Sequence, residues 1–118
     1  MKNVDYKEIL FEVKDDTAWI TINRPEVLNA FREQTLDELI HAVKSTREDS
    51  SLVAAVITGA GDRAFSSGGD FHAMMKLNRA NALHWNDRML GLAMAIRGVP
   101  IPVIAMVHGH CMGGGHEL

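Results

Sequence analysis

Two stretches of small residues carry the first chemical signal. They are Ser66-Ser67-Gly68-Gly69-Asp70-Phe71 and the segment from Gly109 to Gly115. Each follows a run of apolar, partly β-branched residues, and open α/β sheets place ligands at the carboxyl ends of such strands. Glycine lets a ligand approach the main chain and permits positive φ. Main-chain N–H groups at a helix start attract negative charge. Two such donors on one carbonyl oxygen make an oxyanion hole, a strong effect in a dry site. Two tight turns would account for the same residues.

Glu117 is the one carboxylate set among glycines and apolar residues. In a closed cleft, burial would favour its neutral form and suit it to proton transfer near neutral pH. A solvated first-turn glutamate is the plainer reading. Asp70 likewise reads as a cap for the segment after it. His108, His110, Cys111 and His116 have the chemistry of metal ligands. No C-x-x-C pair or second ligand cluster accompanies them, so no metal is expected. His41 and His84 fall in helices and read as surface residues, and Cys111 as a small core filler. The second loop lacks the second glycine of G-x-G-x-x-G and the Lys-Ser/Thr of a phosphate loop, which argues against nucleotide binding of those kinds.

The elements that position these residues follow from periodicity. Ile9–Val13 and Thr17–Asn23 read as an antiparallel hairpin, with Lys14-Asp15-Asp16 as its turn and Arg24-Pro25 ending the second strand. Leu36, Leu39, Ile40 and Val43 form one apolar stripe, which predicts a helix over 33–48, with Thr35-x-x-Glu38 as a capping box. Asp37, Glu38, Lys44 and Arg47 fall outside that stripe. Leu52–Thr58 reads as a strand buried on both faces, the mark of parallel pairing after a crossover helix. Residues 59–70 read as a loop. Trp85, Met89, Leu92 and Ile96 predict a second helix over 80–97, stopped by Gly98 just past its end. Val103–Val107 reads as another buried strand, and Gly115–Leu118 as a helix start.

The 118 residues suffice for one domain. With 47% hydrophobic and 23% charged residues, the chain is globular rather than disordered. A net charge of −3 provides no basic excess for nucleic acid or an anionic membrane surface. No run is long enough for a membrane helix. The single cysteine and the polar N-terminus suit a reducing, cytoplasmic location. The order ββ-α-β-α-β-(α) leaves the last apolar strand without a covering helix. A truncated portion of a longer α/β fold is therefore expected.

These residues resemble a known family. Asn23-Arg24-Pro25-Glu26-Val27-Leu28-Asn29-Ala30-Phe31, Val56-Ile57-Thr58-Gly59-Ala60-Gly61, Ala64-Phe65-Ser66-Ser67-Gly68-Gly69-Asp70, Pro102–Gly109 and Gly113–Leu118 are similar, in order and spacing, to blocks of the enoyl-CoA hydratase/isomerase (crotonase) family. Each block alone is weak, but together they are specific. The resemblance implies a ββα spiral, with residues 1–118 as a partial domain, its N-terminal half. It implies an acyl-CoA thioester as substrate and no cofactor beyond the coenzyme A which that substrate carries. It also implies a homo-oligomer, a trimer or hexamer.

The positions that match the family's oxyanion hole are Gly69 and Gly114. Glu117 matches one of two hydratase glutamates and would serve as acid/base. Ser67, Gly69, Asp70, Phe71, His72 and Gly114 match the segments beside coenzyme A, and Val27, Leu28 and Ala30 the loop near its nucleotide end. A 2-enoyl-CoA hydratase is the expected activity. Ser67-Gly68-Gly69-Asp70 and Gly115-His116 also resemble naphthoyl-CoA synthases and ring-opening acyl-CoA hydrolases, which usually lack a glutamate at the position of Glu117. An incomplete fragment that only associates is the remaining alternative.

Overall fold

The computed structural model describes residues 4–118. Strands β1 (Ile9–Lys14) and β2 (Thr17–Ile22) form the expected hairpin, with Ile9 opposite Ile22 and Lys14 opposite Thr17. The turn is only Asp15-Asp16, both at positive φ (53° and 57°). That is the twist a two-residue hairpin connection requires. Ile20 and Ile22 point inward and are fully buried, as their alternation predicts.

Helix α1 (Glu33–Ser45) carries the predicted stripe, with Leu36, Leu39 and Val43 fully buried. A short 3-10 turn (Thr46–Glu48) extends it. The capping arrangement differs from the expected one. Thr35 is not the cap; it stands at the third helical position and its hydroxyl accepts from the Arg32 amide at 3.1 Å. Glu38 is released from capping and is buried, accepting from the main-chain amides of Lys7 (2.9 Å) and Glu8 (2.8 Å). A charged residue outside the apolar stripe is thus an anchor for the segment before β1.

The crossover through α1 delivers β3 (Ala54–Gly59) parallel to β2, with Ile20 opposite Ile57. Strand β5 (Val103–Ala105) pairs parallel to the other edge of β3, giving the order β1-β2-β3-β5. Its position at the sheet edge corrects one expectation. The apolar run 103–107 predicts a buried strand, yet Ile104, Met106 and Val107 are exposed. Periodicity reports that a strand is apolar, not whether a partner covers it.

A second correction concerns 59–70. Ala64–Ser66 is a strand, β4, paired in parallel with β6 (His110–Cys111). Three residues carry too little pattern to register, and only the distant partner makes them a strand. Helix α2 (Phe71–Met75) follows, then α3 (Ala82–Gly98), which packs on α1. Arg88 of α3 pairs with Asp37 of α1 at 2.9 Å. Gly98 closes α3 as its last residue rather than standing beyond it, and Arg47 donates to its carbonyl. Helix α4 spans Gly114–Glu117. The core lies between the sheet and the two long helices, centred on Ile20, Ile22, Phe31, Leu36, Leu39, Ile57, Phe65 and Leu92.

Candidate active site

The two small-residue loops meet. A Cβ on Gly68 would stand 2.9 Å from the Met112 carbonyl oxygen and 3.1 Å from the Gly114 nitrogen. At φ +101°, Gly68 also adopts a conformation that side chains disfavour. A Cβ on Gly115 would stand 2.9 Å from the Ser66 carbonyl carbon, so α4 lies directly on β4. Pairing of β4 with β6 brings these loops side by side.

The main chain around Gly69 is held from both flanks. The Phe31 amide donates to the Gly68 carbonyl (2.7 Å), and the Asp70 amide donates to the Phe31 carbonyl (2.6 Å). In a trans peptide the N–H points opposite to the C=O of the same unit. The Gly69 N–H therefore points away from Phe31. Around Gly114 the logic repeats. The Gly113 carbonyl accepts from the His116 (3.0 Å) and Glu117 (3.1 Å) amides, so the Gly114 N–H points out of the start of α4. Neither the Gly69 nor the Gly114 amide donates to an acceptor among the described residues. Two unspent donors stand at one junction.

Buried and half-buried polar groups build this junction, and the sequence assigns no role of their own to Asn29, Arg24 and Glu8 among them. Asn29, fully buried at φ +55°, accepts from the Arg24 amide (2.9 Å) and donates to the carbonyls of Ala60 (3.0 Å) and Ala64 (2.8 Å). The Ser66 hydroxyl donates to the Asn29 carbonyl (2.8 Å) and accepts from the Gly68 amide (3.1 Å). Arg24 Nη1 donates to the Ala30 carbonyl (2.7 Å) and to Asp70 (3.0 Å). Glu8 sits behind them, holding Arg32 through Nε at 2.6 Å and the Thr35 hydroxyl at 2.6 Å, with Arg24 Nε 3.7 Å away. That Arg24 and Asn29 fall in the same short family-like block is the one hint the sequence offers.

Asp70 does cap α2, accepting from the Ala73 amide at 3.0 Å. Burial pushes its carboxyl up, but the Ala73 amide and the Arg24 guanidinium outweigh that and hold it below the usual carboxylate range. Glu8 behaves alike. Burial raises it, while the hydrogen bonds from Arg32 and Thr35 and the charges of Arg32 and Arg24 bring it below its ordinary value.

Val27, Asp70 and His72 line one open hollow of about 720 Å³, together with Arg24, Arg32, Lys76 and Trp85. Leu28 and Ala30 do not share it. Leu28 lines a separate small hollow with Pro25 and Gly61, and its carbonyl accepts from the Ser67 amide at 3.0 Å. Ala30 is buried and contributes only its carbonyl. The Phe71 side chain is 73% exposed. A Cβ on Gly69 would collide with Met74 Sδ, and one on Gly114 would lie 3.2 Å from Met89 Cε. Met74 carries no sequence signal, and Met89 reads from the sequence only as part of the α3 stripe.

Glu117 is exposed rather than enclosed. It borders a hollow of about 250 Å³ formed with Met89, Leu90, Leu92, Ala93 and Leu118. Met89 is common to this hollow and to Gly114, which places the carboxylate's surroundings next to the free amide. His108 instead bonds the Gly61 carbonyl at 2.9 Å, and His110 and His116 are exposed. Among the described residues no three His, Cys, Asp or Glu side chains gather as metal ligands. Cys111 packs at the core margin, 3.5 Å from the Gly115 carbonyl.

The sequence model of the enoyl-CoA hydratase/isomerase family matches residues 12–118. The chain belongs to this family. Solved structures of similar chains agree on the fold. An enoyl-CoA hydratase/isomerase from Xanthobacter autotrophicus Py2 is 34% identical, with a TM-score of 0.89 over 96% of this chain and 43% of that one. An enoyl-CoA hydratase from Bacillus anthracis is 26% identical, with a TM-score of 0.89 over 94% of this chain and 43% of that one. DspI from Pseudomonas aeruginosa is 30% identical, with a TM-score of 0.90 over 98% and 44% respectively. The chain thus spans under half the length of these crotonase-fold relatives. Its α/β architecture is the N-terminal part of theirs.

Proposed function

We propose that this chain binds an acyl-CoA thioester and that the Gly69 and Gly114 amides receive its carbonyl oxygen. The observation that carries the reading is the pair of unspent N–H groups at one loop junction, each aimed outward by hydrogen bonds on its own peptide unit. Negative charge that develops on the thioester oxygen as an enolate forms would be stabilised there without reorganisation. The hollow is lined by Arg24 and Arg32, both paired with carboxylates, by Glu33 and Asp70, and by His72 and Lys76, of which Lys76 suits a phosphate of coenzyme A. Lys76 makes no ion pair among the described residues, which leaves its charge for a ligand.

The reaction proposed is hydration of a 2-enoyl-CoA, a lyase reaction. Water adds across the C=C bond, and the enolate oxygen is held by the two amides while a carboxylate moves the proton. Glu117 is the acid/base of this reading. Its support is position: it lies on the same short helix as Gly114, beside an apolar hollow. A homo-oligomer goes with the reading. The exposed Leu90, Met94, Ile104, Met106 and Val107 supply apolar surface that association would cover.

Titration of the chain with crotonyl-CoA and with free coenzyme A tests this. Binding of the thioester, with its carbonyl stretch moved to lower frequency, is the expected result. Equal affinity for both compounds, with an unmoved stretch, would remove the oxyanion role from Gly69 and Gly114.

A further inference from the structure

We propose that Arg24 is a positioning residue for the Gly69 amide, acting through Asp70 and the Ala30 carbonyl. This rests on the thioester reading above. One nitrogen, Nη1, donates both to the Ala30 carbonyl (2.7 Å) and to Asp70 Oδ2 (3.0 Å). Ala30 adjoins Phe31, whose amide and carbonyl hold Gly68 and Asp70. The guanidinium thus joins the two strips of main chain whose pairing fixes the Gly69 N–H. Asp70 is tied a second time, as the cap of α2.

The clamp has a rigid back. The Arg24 amide donates to Asn29 Oδ1 at 2.9 Å, and Arg24 Nε lies 3.7 Å from Glu8, which Thr35 and Arg32 hold in place. The side chains of Arg24 and Asp70 are only 11% and 8% exposed, so water competes weakly for the pair. A planar guanidinium reaches several acceptors at fixed angles, which a lysine ammonium does not. Loss of Arg24 would leave the Asp70 carboxylate attached to α2 alone. The Gly69 peptide would then be held by the Phe31 main chain without its side-chain brace and would tilt more readily, and oxyanion stabilisation depends on the aim of the donor.

The test uses the 118-residue chain with three variants, Arg24→Gln, Arg24→Lys and Asp70→Asn. Hydrogen exchange at the Phe31 and Asp70 amides reads the clamp without any ligand. Protection there is expected to fall at least about tenfold in Arg24→Gln, as loss of a charge-assisted bond implies, and to be intermediate in Arg24→Lys. Protection in the β2–β3 ladder should stay unchanged. The carbonyl stretch of bound crotonyl-CoA reads the aim of the donor. Its shift should shrink by about half in Arg24→Gln, with one of two donors misdirected, and recover in part in Arg24→Lys.

A folded Arg24→Gln chain with unchanged protection and an unchanged stretch would overturn the proposal. Should that variant fail to fold, the same losses are expected of Asp70→Asn, and their absence would overturn it equally. If the parent chain shifts no thioester stretch, the proposed function fails, and the exchange measurement still decides whether Arg24 holds the loop.

Discussion

Arg24 and Asp70 meet at 3.0 Å across 46 residues of sequence. The contact ties the end of the first hairpin to the loop that presents Gly69. It lies among buried groups, with Glu8 on one side and the Ala30 carbonyl on the other. Because both carboxylates are held ionised by these partners, the network links the shape of the site to pH.

Stability should therefore fall on the acid side. Glu8 and Asp70 both have folded pKa values below their ordinary ones. A depressed carboxylate contributes stability above its unfolded pKa, about 4, and loses it as pH falls through the lower folded value. Melting temperature measured from pH 7 downward should hold to about pH 5 and then drop. In Glu8→Gln the drop should be shallower, from a lower starting point. An identical acid profile in that variant would exclude Glu8 as a source.

Asn29 should be among the most sensitive positions. Asn29→Ala removes three hydrogen bonds and leaves the Ala60 and Ala64 carbonyls and the Arg24 amide without their partner. It also places alanine at φ +55°. A loss of about 3 kcal/mol in urea unfolding is expected, two or three buried groups being left unsatisfied. A loss below about 1 kcal/mol would show that water replaces the side chain.

Gly115→Ala tests the seat of α4. The added Cβ would press on the Ser66 carbonyl and lie 2.9 Å from the Ser66 Cβ. Backbone cannot yield there as a side-chain tip would, so α4 should lift from β4, at a cost of about 2 kcal/mol. Affinity for crotonyl-CoA should fall with it, while affinity for free coenzyme A changes little. Equal loss for the two compounds would mean that the helix seat matters only for stability.

Glu117→Gln separates binding from proton transfer. The side chain is exposed and bonds no protein group among the described residues, so the fold should not notice the change. Hydration of crotonyl-CoA should drop about 100-fold or more, the usual worth of a positioned acid/base. Binding should stay within about threefold, since no bound contact of ground-state strength is lost. Unaltered hydration would remove Glu117 from the mechanism.

The hairpin turn offers a stabilising change. Asp15 and Asp16 occupy positive φ, which glycine adopts without steric cost. Asp16→Gly should raise stability by about 0.5 kcal/mol, read as a higher urea midpoint with unchanged slope.

What the sequence alone determined was local or repeated. The alternation of Ile20 and Ile22 and the stripe of Leu36, Leu39 and Val43 specify a strand and a helix, because burial of one face leaves a period in the chain. The five family-like blocks, spread over the chain, point to the family without any geometry. What only the tertiary structure decided depends on distant partners. β4 exists because His110 and Cys111 lie beside it, and Glu38 is an anchor because the main chain of Lys7 and Glu8 reaches it. The open edge of β5 and the exposure of Glu117 are likewise matters of what packs where. The direction of the Gly69 and Gly114 amides is of the same kind. A glycine's letter says that a backbone may bend, and only the hydrogen bonds on neighbouring carbonyls say where its N–H is aimed.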